Sequence, residues 1–301
     1  MRIGLALGAG GARGWCHIGV LRELQEQGIV PDVVAGCSMG ALVGAAWASE
    51  RLNALEDWAR ALTRQRFLTY VDLRLSGGGL VRGRTVLELL GDLGVAEDFE
   101  GLDRPFLAVA TDMATGHEVW LRDGSVRDAV RASISIPGVV APHRVNGRWL
   151  LDGGLINPVP VSACRALGAD LTIAVNPNGK PGPVLWRPRK AESGFWEKLG
   201  QPEFISKLTD PVRDMLPRNG GDDAPEAPPP HYLDVVSTAM DIMSEYLRKT
   251  REAGDPPHLS LSANLTNMAV LEMHRAEEAI EEGRRIAKGA GARLEELRAM
   301  M

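Results

Sequence analysis

Gly36-Cys37-Ser38-Met39-Gly40 sets a serine between two glycines at GxSxG spacing. Val33-Val34-Ala35 before it reads as a short buried strand, and Ala41 to Ala48 after it as an apolar helix. A serine on such a strand-to-helix turn is presented at the helix N-terminus as a nucleophile, and the flanking glycines relieve crowding where the chain reverses. Gly36, Met39 and Gly40 therefore form a candidate nucleophile elbow, with the Met39 N–H as a candidate oxyanion donor if the usual elbow geometry holds. A second glycine turn, Gly8-Ala9-Gly10-Gly11-Ala12-Arg13-Gly14, precedes the first helix. It exposes backbone N–H groups beside a helix start, which suits a phosphate or the oxyanion of a tetrahedral intermediate. The GxGxxG dinucleotide fingerprint does not fit. Counting from Gly8, the sixth residue is Arg13, and the frame ending at Gly14 begins with Ala9. Asp32, near the distance of a ribose-binding acid, precedes its strand rather than ending it.

A serine nucleophile needs a base. The six histidines, His17, His117, His143, His231, His258 and His274, sit in no recognisable base motif. Only 37 residues precede Ser38, room for little more than one βα unit, whereas the elbow of an α/β hydrolase follows several strands. One carboxylate stands out. Leu150-Leu151-Asp152-Gly153-Gly154 puts Asp152 at a strand end, where open α/β sheets carry their sites. Asp152 either accepts the Ser38 proton directly, as a two-residue dyad, or is an ordinary Asp-Gly turn; the spacing leaves both open. No HExxH motif and no His/Cys/carboxylate cluster suggests a metal, and no cofactor is expected.

The elements that must position these groups alternate between β and α. Strands are expected at Ile3–Leu7, Val33–Ala35, Pro105–Ala110, Glu118–Leu121, up to Leu151, and Leu171–Val175. Helices are expected at Trp15–Gln27, Ala41–Ala48 and Val161–Leu167. This order implies a mostly parallel sheet with helices on both faces. Eleven of the 19 prolines fall between Asn176 and Pro230, a stretch that excludes long regular elements and reads as a loop, linker or cover. Beyond it, Leu233, Val236, Met240, Met243 and Leu247 mark an amphipathic helix, read as core packing, a lid or a dimer face. A further helix, about Met268 to Lys288, is rich in Glu and Arg and reads as a solvated outer helix. The division expected is a catalytic core over 1–176, a Pro-rich insertion over 177–230 as lid or disordered segment, and C-terminal helices over 231–301 packing on the core as one domain.

Composition narrows the classes. With 301 residues, 45% hydrophobic and 24% charged, the chain can bury one large core. A formal charge of −5 leaves no basic footprint for nucleic acid and stays compatible with peripheral membrane contact. Three cysteines without a CxxC pair fit a reducing compartment. No signal-like or membrane-spanning run is visible, so the expected location is cytoplasmic, with room for peripheral contact at the inner membrane.

Taken together, these blocks resemble patatin-like phospholipases, the bacterial RssA-type branch especially, over about residues 3 to 176. Leu7 to Gly14 resembles the family's oxyanion-hole loop, Gly36 to Gly40 its elbow, and Asp152-Gly153-Gly154 its DG[GA] motif. Ala132-Ser133-Ile134-Ser135-Ile136-Pro137, Asn157-Pro158-Val159-Pro160, Gly168-Ala169-Asp170 and Gly78-Gly79-Leu80 (with Gly83 and Leu87) match further family segments. Ala9 departs from the glycine many members carry. The resemblance implies a three-layer α/β/α fold with a mostly parallel central sheet and a serine acyl hydrolase acting on lipid esters, phospholipid or lysophospholipid. Ser38 would be its nucleophile and Asp152 its base. The N–H groups of Gly10, Gly11 and Ala12 would form the oxyanion hole, with Arg13 and Gly14 supporting the loop. Two other readings stand beside it: a Ser-His-Asp esterase using His258 or His274, and a lipid-binding or regulatory module that hydrolyses little.

Overall fold

The computed structural model describes residues 1–70, 83–179 and 232–299. The Gly78-Gly79-Leu80 segment, His231 and the Pro-rich stretch from 180 lie outside the described residues. Among the described residues eight strands form one sheet: β1 (Ile3–Leu7), β2 (Val33–Cys37), β3 (Phe106–Asp112), β4 (Glu118–Leu121), β5 (His143–Val145), β6 (Arg148–Asp152), β7 (Leu171–Asn176) and β8 (Leu259–Ser262). The run β3-β2-β1-β7-β8 is parallel throughout, whereas β4, β5 and β6 add antiparallel pairs beside β3. The helices among the described residues are α1 (Cys16–Glu26), α2 (Met39–Ala48), α3 (Leu52–Arg60), α4 (Arg64–Tyr70), α5 (Arg84–Asp92), α6 (Val126–Ser133), α7 (Val161–Ala166), α8 (Tyr232–Gly254), α9 (Ala276–Gly289) and α10 (Gly291–Ala299).

The central strands β1, β2, β3 and β7 are buried on both faces, and the period of two sorts their side chains by size. Ile3, Leu5, Leu7, Val34, Phe106, Ile173 and Val175 point into the larger core with α1, α2 and α9. Ala6, Ala35, Leu107, Val109 and Ala174 point the other way, against Val161, Ala163 and Cys164 of α7. Mostly small side chains on that second face let the short α7 lie close. The result is a three-layer α/β/α fold with a mostly parallel central sheet.

Two expectations for the C-terminal part change. It was expected to contribute only helices, but Leu259-Ser260-Leu261-Ser262 adds β8 in parallel register to β7, its leucines buried and serines exposed. The charged helix begins at Ala276, after a short turn at Met273–Arg275, rather than near Met268. It is solvated on one side only. Ala276, Ala279, Ile280, Gly283 and Ala287 form a buried stripe of mostly small residues against α1, hidden in the sequence among glutamates and arginines.

At the α1–α9 crossing the backbones nearly touch. A Cβ on Gly19 would lie 1.9 Å from the Ile280 carbonyl oxygen. Gly19→Val is therefore expected to cost about 2–3 kcal/mol by overpacking, which thermal unfolding would register as a drop of several degrees. Gly289→Ala, at a site with open space around it, should leave Tm level or slightly raised.

Candidate active site

Strand register brings the two key residues together. β3 has three partners on two edges. β4 takes one edge, pairing Ala108 to Thr111 with Leu121 to Glu118. The other edge is shared: β2 fills it in parallel from Phe106 to Val109, and β6 fills it antiparallel from Ala110 to Asp112. The two strands thus end facing each other, Cys37 opposite Val109 and Asp152 opposite Ala110. Ser38 is the next residue along, where the chain leaves the sheet.

That departure is strained. Ser38 has φ 55° and ψ −121°, a conformation L-residues rarely adopt and one that costs on the order of 1–3 kcal/mol. Its N–H donates to Ser133 Oγ at 2.8 Å, and Ser133 Oγ donates to the Val109 carbonyl at 2.6 Å. Ser133 so ties the elbow to the middle strand. Gly40 has no room for a side chain, since a Cβ there would sit 2.1 Å from the Leu7 carbonyl oxygen. Gly36 abuts Gly40, and Gly14 lies against Met39, so the oxyanion loop and the elbow are packed together.

Ser38 Oγ donates to Asp152 Oδ2 at 2.6 Å, and both residues are buried. The other carboxylate oxygen, Oδ1, accepts the Gly154 N–H at 2.7 Å. The Asp152 N–H donates to the Ser135 carbonyl, and its carbonyl accepts from Thr111 Oγ1. Gly153 lies against the Val109 carbonyl and Cys37 Sγ. Burial pushes the Asp152 carboxyl up to about 6, against the pull of the Ser38 and Gly154 hydrogen bonds. At neutral pH it is ionised and more basic than an ordinary aspartate.

The glycine loop is anchored at several points. Gly8 N–H donates to the Val175 carbonyl, Ala9 N–H to Pro158 and Arg13 N–H to Gly10. Ala12 N–H, expected in the oxyanion hole, donates to the Val270 carbonyl at 2.8 Å and is engaged there. The N–H groups of Gly10 and Gly11 have no partner among the described residues. Met39 opens α2 beside them, at the positive end of the helix dipole. Arg13 serves as a brace: its buried guanidinium reaches Asn178 Oδ1 at 2.6 Å and Asp241 of α8 at 3.0 Å.

Among the described residues, no histidine hydrogen-bonds to Ser38 or Asp152. His258 precedes β8, and its Nδ1 accepts the Thr172 N–H at 3.0 Å. That is the opposite end of the parallel strands from Ser38, roughly a strand length or ~16 Å away at ~3.3 Å per residue. His143 pairs with Asp128, and His117 is exposed. His274 lies in the turn before α9. His17 is fully buried below the loop, its Nε2 2.8 Å from the Gly8 carbonyl, and burial pushes it down to about 4, so it stays neutral and donates.

Sequence reasoning missed Ser133's specific role, Asn178, Val270 and the polar face of α8. The stripe expected to pack in the core does so only in part: Val236, Met240 and Leu247 are half-buried, and Met243 is exposed with Val235, Ile242 and Tyr246. Asp241 and Ser244 make the contacts to the site, Ser244 Oγ donating to the Gly154 carbonyl at 3.3 Å. The helix meets an arginine and turn carbonyls there, which call for polar partners. Among the described residues no helix is long and apolar enough to cross a membrane.

The family model described as patatin-like phospholipase matches residues 5–165, which hold the loop, elbow and Asp-Gly-Gly turn. The chain belongs to the patatin-like phospholipase family. This family of lipid hydrolases includes relatives of two sizes. An NTE family protein of Mycobacterium tuberculosis is 35% identical over 96% of this chain and 91% of its own length. Neuropathy target esterase of Drosophila melanogaster is 35% identical over 64% of this chain, a region making up 14% of that much longer protein. The solved structure of VipD from Legionella pneumophila aligns over 97% of the chain and 66% of its own, at 14% identity and a TM-score of 0.45.

Proposed function

We propose that this patatin-like protein is a serine acyl hydrolase that cleaves carboxylic esters of phospholipids or lysophospholipids through a Ser38–Asp152 dyad. The observation that carries this reading is the 2.6 Å hydrogen bond from Ser38 Oγ to the buried Asp152 carboxylate, with two loop N–H groups that have no partner among the described residues. Ser38 Oγ attacks the ester carbonyl while Asp152 takes its proton. The tetrahedral oxyanion meets the Gly10 and Gly11 N–H groups, with Met39 N–H as a third donor. One such donor is worth about 2.7–4 kcal/mol in the transition state. On collapse the C–O bond breaks and Asp152 gives its proton to the leaving alcohol. Asp152 then deprotonates a water that attacks the acyl-serine, the fatty acid leaves, and the proton returns to Ser38.

The pH dependence tests the base. Only ionised Asp152 can accept the proton, so kcat/KM for a p-nitrophenyl ester should climb tenfold per unit at low pH and level off above about 6. The same profile should persist in His258→Ala and His274→Ala. A midpoint near 4, or a limb lost with either histidine, contradicts the dyad.

A further inference from the structure

Two peptide planes decide whether the oxyanion hole exists. The Gly10 N–H shares a plane with the Ala9 carbonyl, and the Gly11 N–H shares one with the Gly10 carbonyl. Both peptides are trans, so each N–H points opposite its carbonyl. The Gly10 carbonyl is pinned within the loop by the Arg13 N–H at 3.2 Å. The Ala9 carbonyl is pinned from outside, by Asn178 Nδ2 at 2.7 Å.

Asn178 is itself held in one orientation. Its N–H donates to Asn176 Oδ1 at 3.0 Å, which fixes its backbone at the end of β7. Its Oδ1 accepts from Arg13 Nη1 at 2.6 Å. An arginine only donates and a carbonyl only accepts, so the amide can serve both neighbours in one sense alone. Arg13 in turn is fixed by the Asp241 carboxylate through Nη2, at 3.0 and 3.3 Å. The line Asp241–Arg13–Asn178–Ala9 carbonyl therefore runs from α8 to the peptide that carries the Gly10 N–H.

We infer that Asn178, oriented by the Arg13–Asp241 pair, is a positioning residue that aims the Gly10 N–H into the oxyanion hole. Resting on the hydrolase reading above, this inference places control of that donor in two residues outside the family-matched region, Asn178 just after β7 and Asp241 on α8. The remainder of the loop does not depend on Asn178. Ala9 N–H stays tied to Pro158 and Ala12 N–H to Val270. Loss of the Asn178 contact thus frees one peptide plane without releasing the loop.

The test is Asn178→Asp, which keeps size and the contact to Arg13 but turns a carboxylate oxygen on the Ala9 carbonyl. With a soluble p-nitrophenyl ester, kcat is expected to fall about 10²-fold, the loss of one oxyanion donor. KM should stay within about threefold and Tm should not fall, while the Ki of a trifluoromethyl ketone, which mimics the tetrahedral state, should rise in parallel with the loss of kcat. Asp241→Asn should lower kcat several-fold, and the double variant should be no worse than Asn178→Asp, because both act on one peptide. Full kcat in Asn178→Asp, or a fall in kcat with unchanged ketone affinity, overturns the inference. If Asn178→Asp fails to fold, Asp241→Asn decides: lowered kcat at constant KM supports it, and full kcat overturns it. Wild-type protein without Ser38-dependent turnover would overturn the hydrolase reading, and this inference with it.

Discussion

Asp152→Asn is expected to lower kcat for ester hydrolysis about 10³–10⁴-fold while leaving the protein folded. The amide cannot take the Ser38 proton, and a positioned general base is worth up to about 10⁴ in rate. It also faces two donors, Ser38 Oγ–H and the Gly154 N–H, with a single acceptor oxygen, so Ser38 loses its fixed direction as well. Steady-state kinetics with circular dichroism as a folding control measures the loss. Stability supplies an independent sign. The folded pKa of Asp152, about 6, lies above the ordinary 3.8. The folded protein therefore holds this proton more tightly than the unfolded chain, and the resulting stabilisation is full below 3.8 and is lost as pH rises through about 6. Asparagine does not titrate. The Tm of the variant relative to wild type should rise between pH 4 and 7 and then level off. A difference that stays flat across that window would contradict a buried, raised carboxyl.

Ser38→Ala is expected to remove turnover, by on the order of 10⁶-fold, because the serine supplies the covalent route in the proposed mechanism. The same change deletes one of the two hydrogen bonds that hold the Asp152 carboxyl down, so its pKa should move further up. The elbow offers a second readout at this position. With φ at 55°, Ser38 carries strain that glycine would not. Ser38→Gly should therefore be inactive yet at least as stable as Ser38→Ala. An alanine variant that keeps activity would end the nucleophile assignment, and a glycine variant less stable than alanine would argue against strain at the elbow.

The glycine turns were legible in sequence because each motif is local. Gly36 to Gly40 shows an elbow pattern within five residues, whereas Asp152 to Gly154 by itself reads equally as an Asp-Gly turn and gains its meaning only from the resemblance. Their meeting was not legible, because it depends on β2 and β6 ending against each other on one edge of β3, a matter of register between strands over a hundred residues apart. Asn178 and Asp241 carried no signal of their own: Asn178 falls at the start of the Pro-rich stretch, and Asp241 is a polar position between the apolar residues of the α8 stripe. β8 is a four-residue L-S-L-S alternation, too short to stand out. The stripe on α8 was read as core because spacing alone cannot tell whether a helix faces apolar side chains or the carbonyls and arginine of a site loop. The small-residue stripe of α9 was masked by charge for a related reason: Gly283 and the alanines add little hydrophobicity but allow the close approach to α1.

In the proposed mechanism Ser38 becomes acylated with Asp152 as its base. The direct measurement is peptide mapping by mass spectrometry after brief exposure to a fluorophosphonate probe, alongside fatty-acid release from phospholipid and lysophospholipid vesicles. The predicted result is a single adduct on Ser38 in wild-type protein, labelling slowed by orders of magnitude in Asp152→Asn, none in Ser38→Ala, and fatty-acid release that follows the same order. An adduct on another residue, or fatty-acid release that survives in Ser38→Ala, would contradict it.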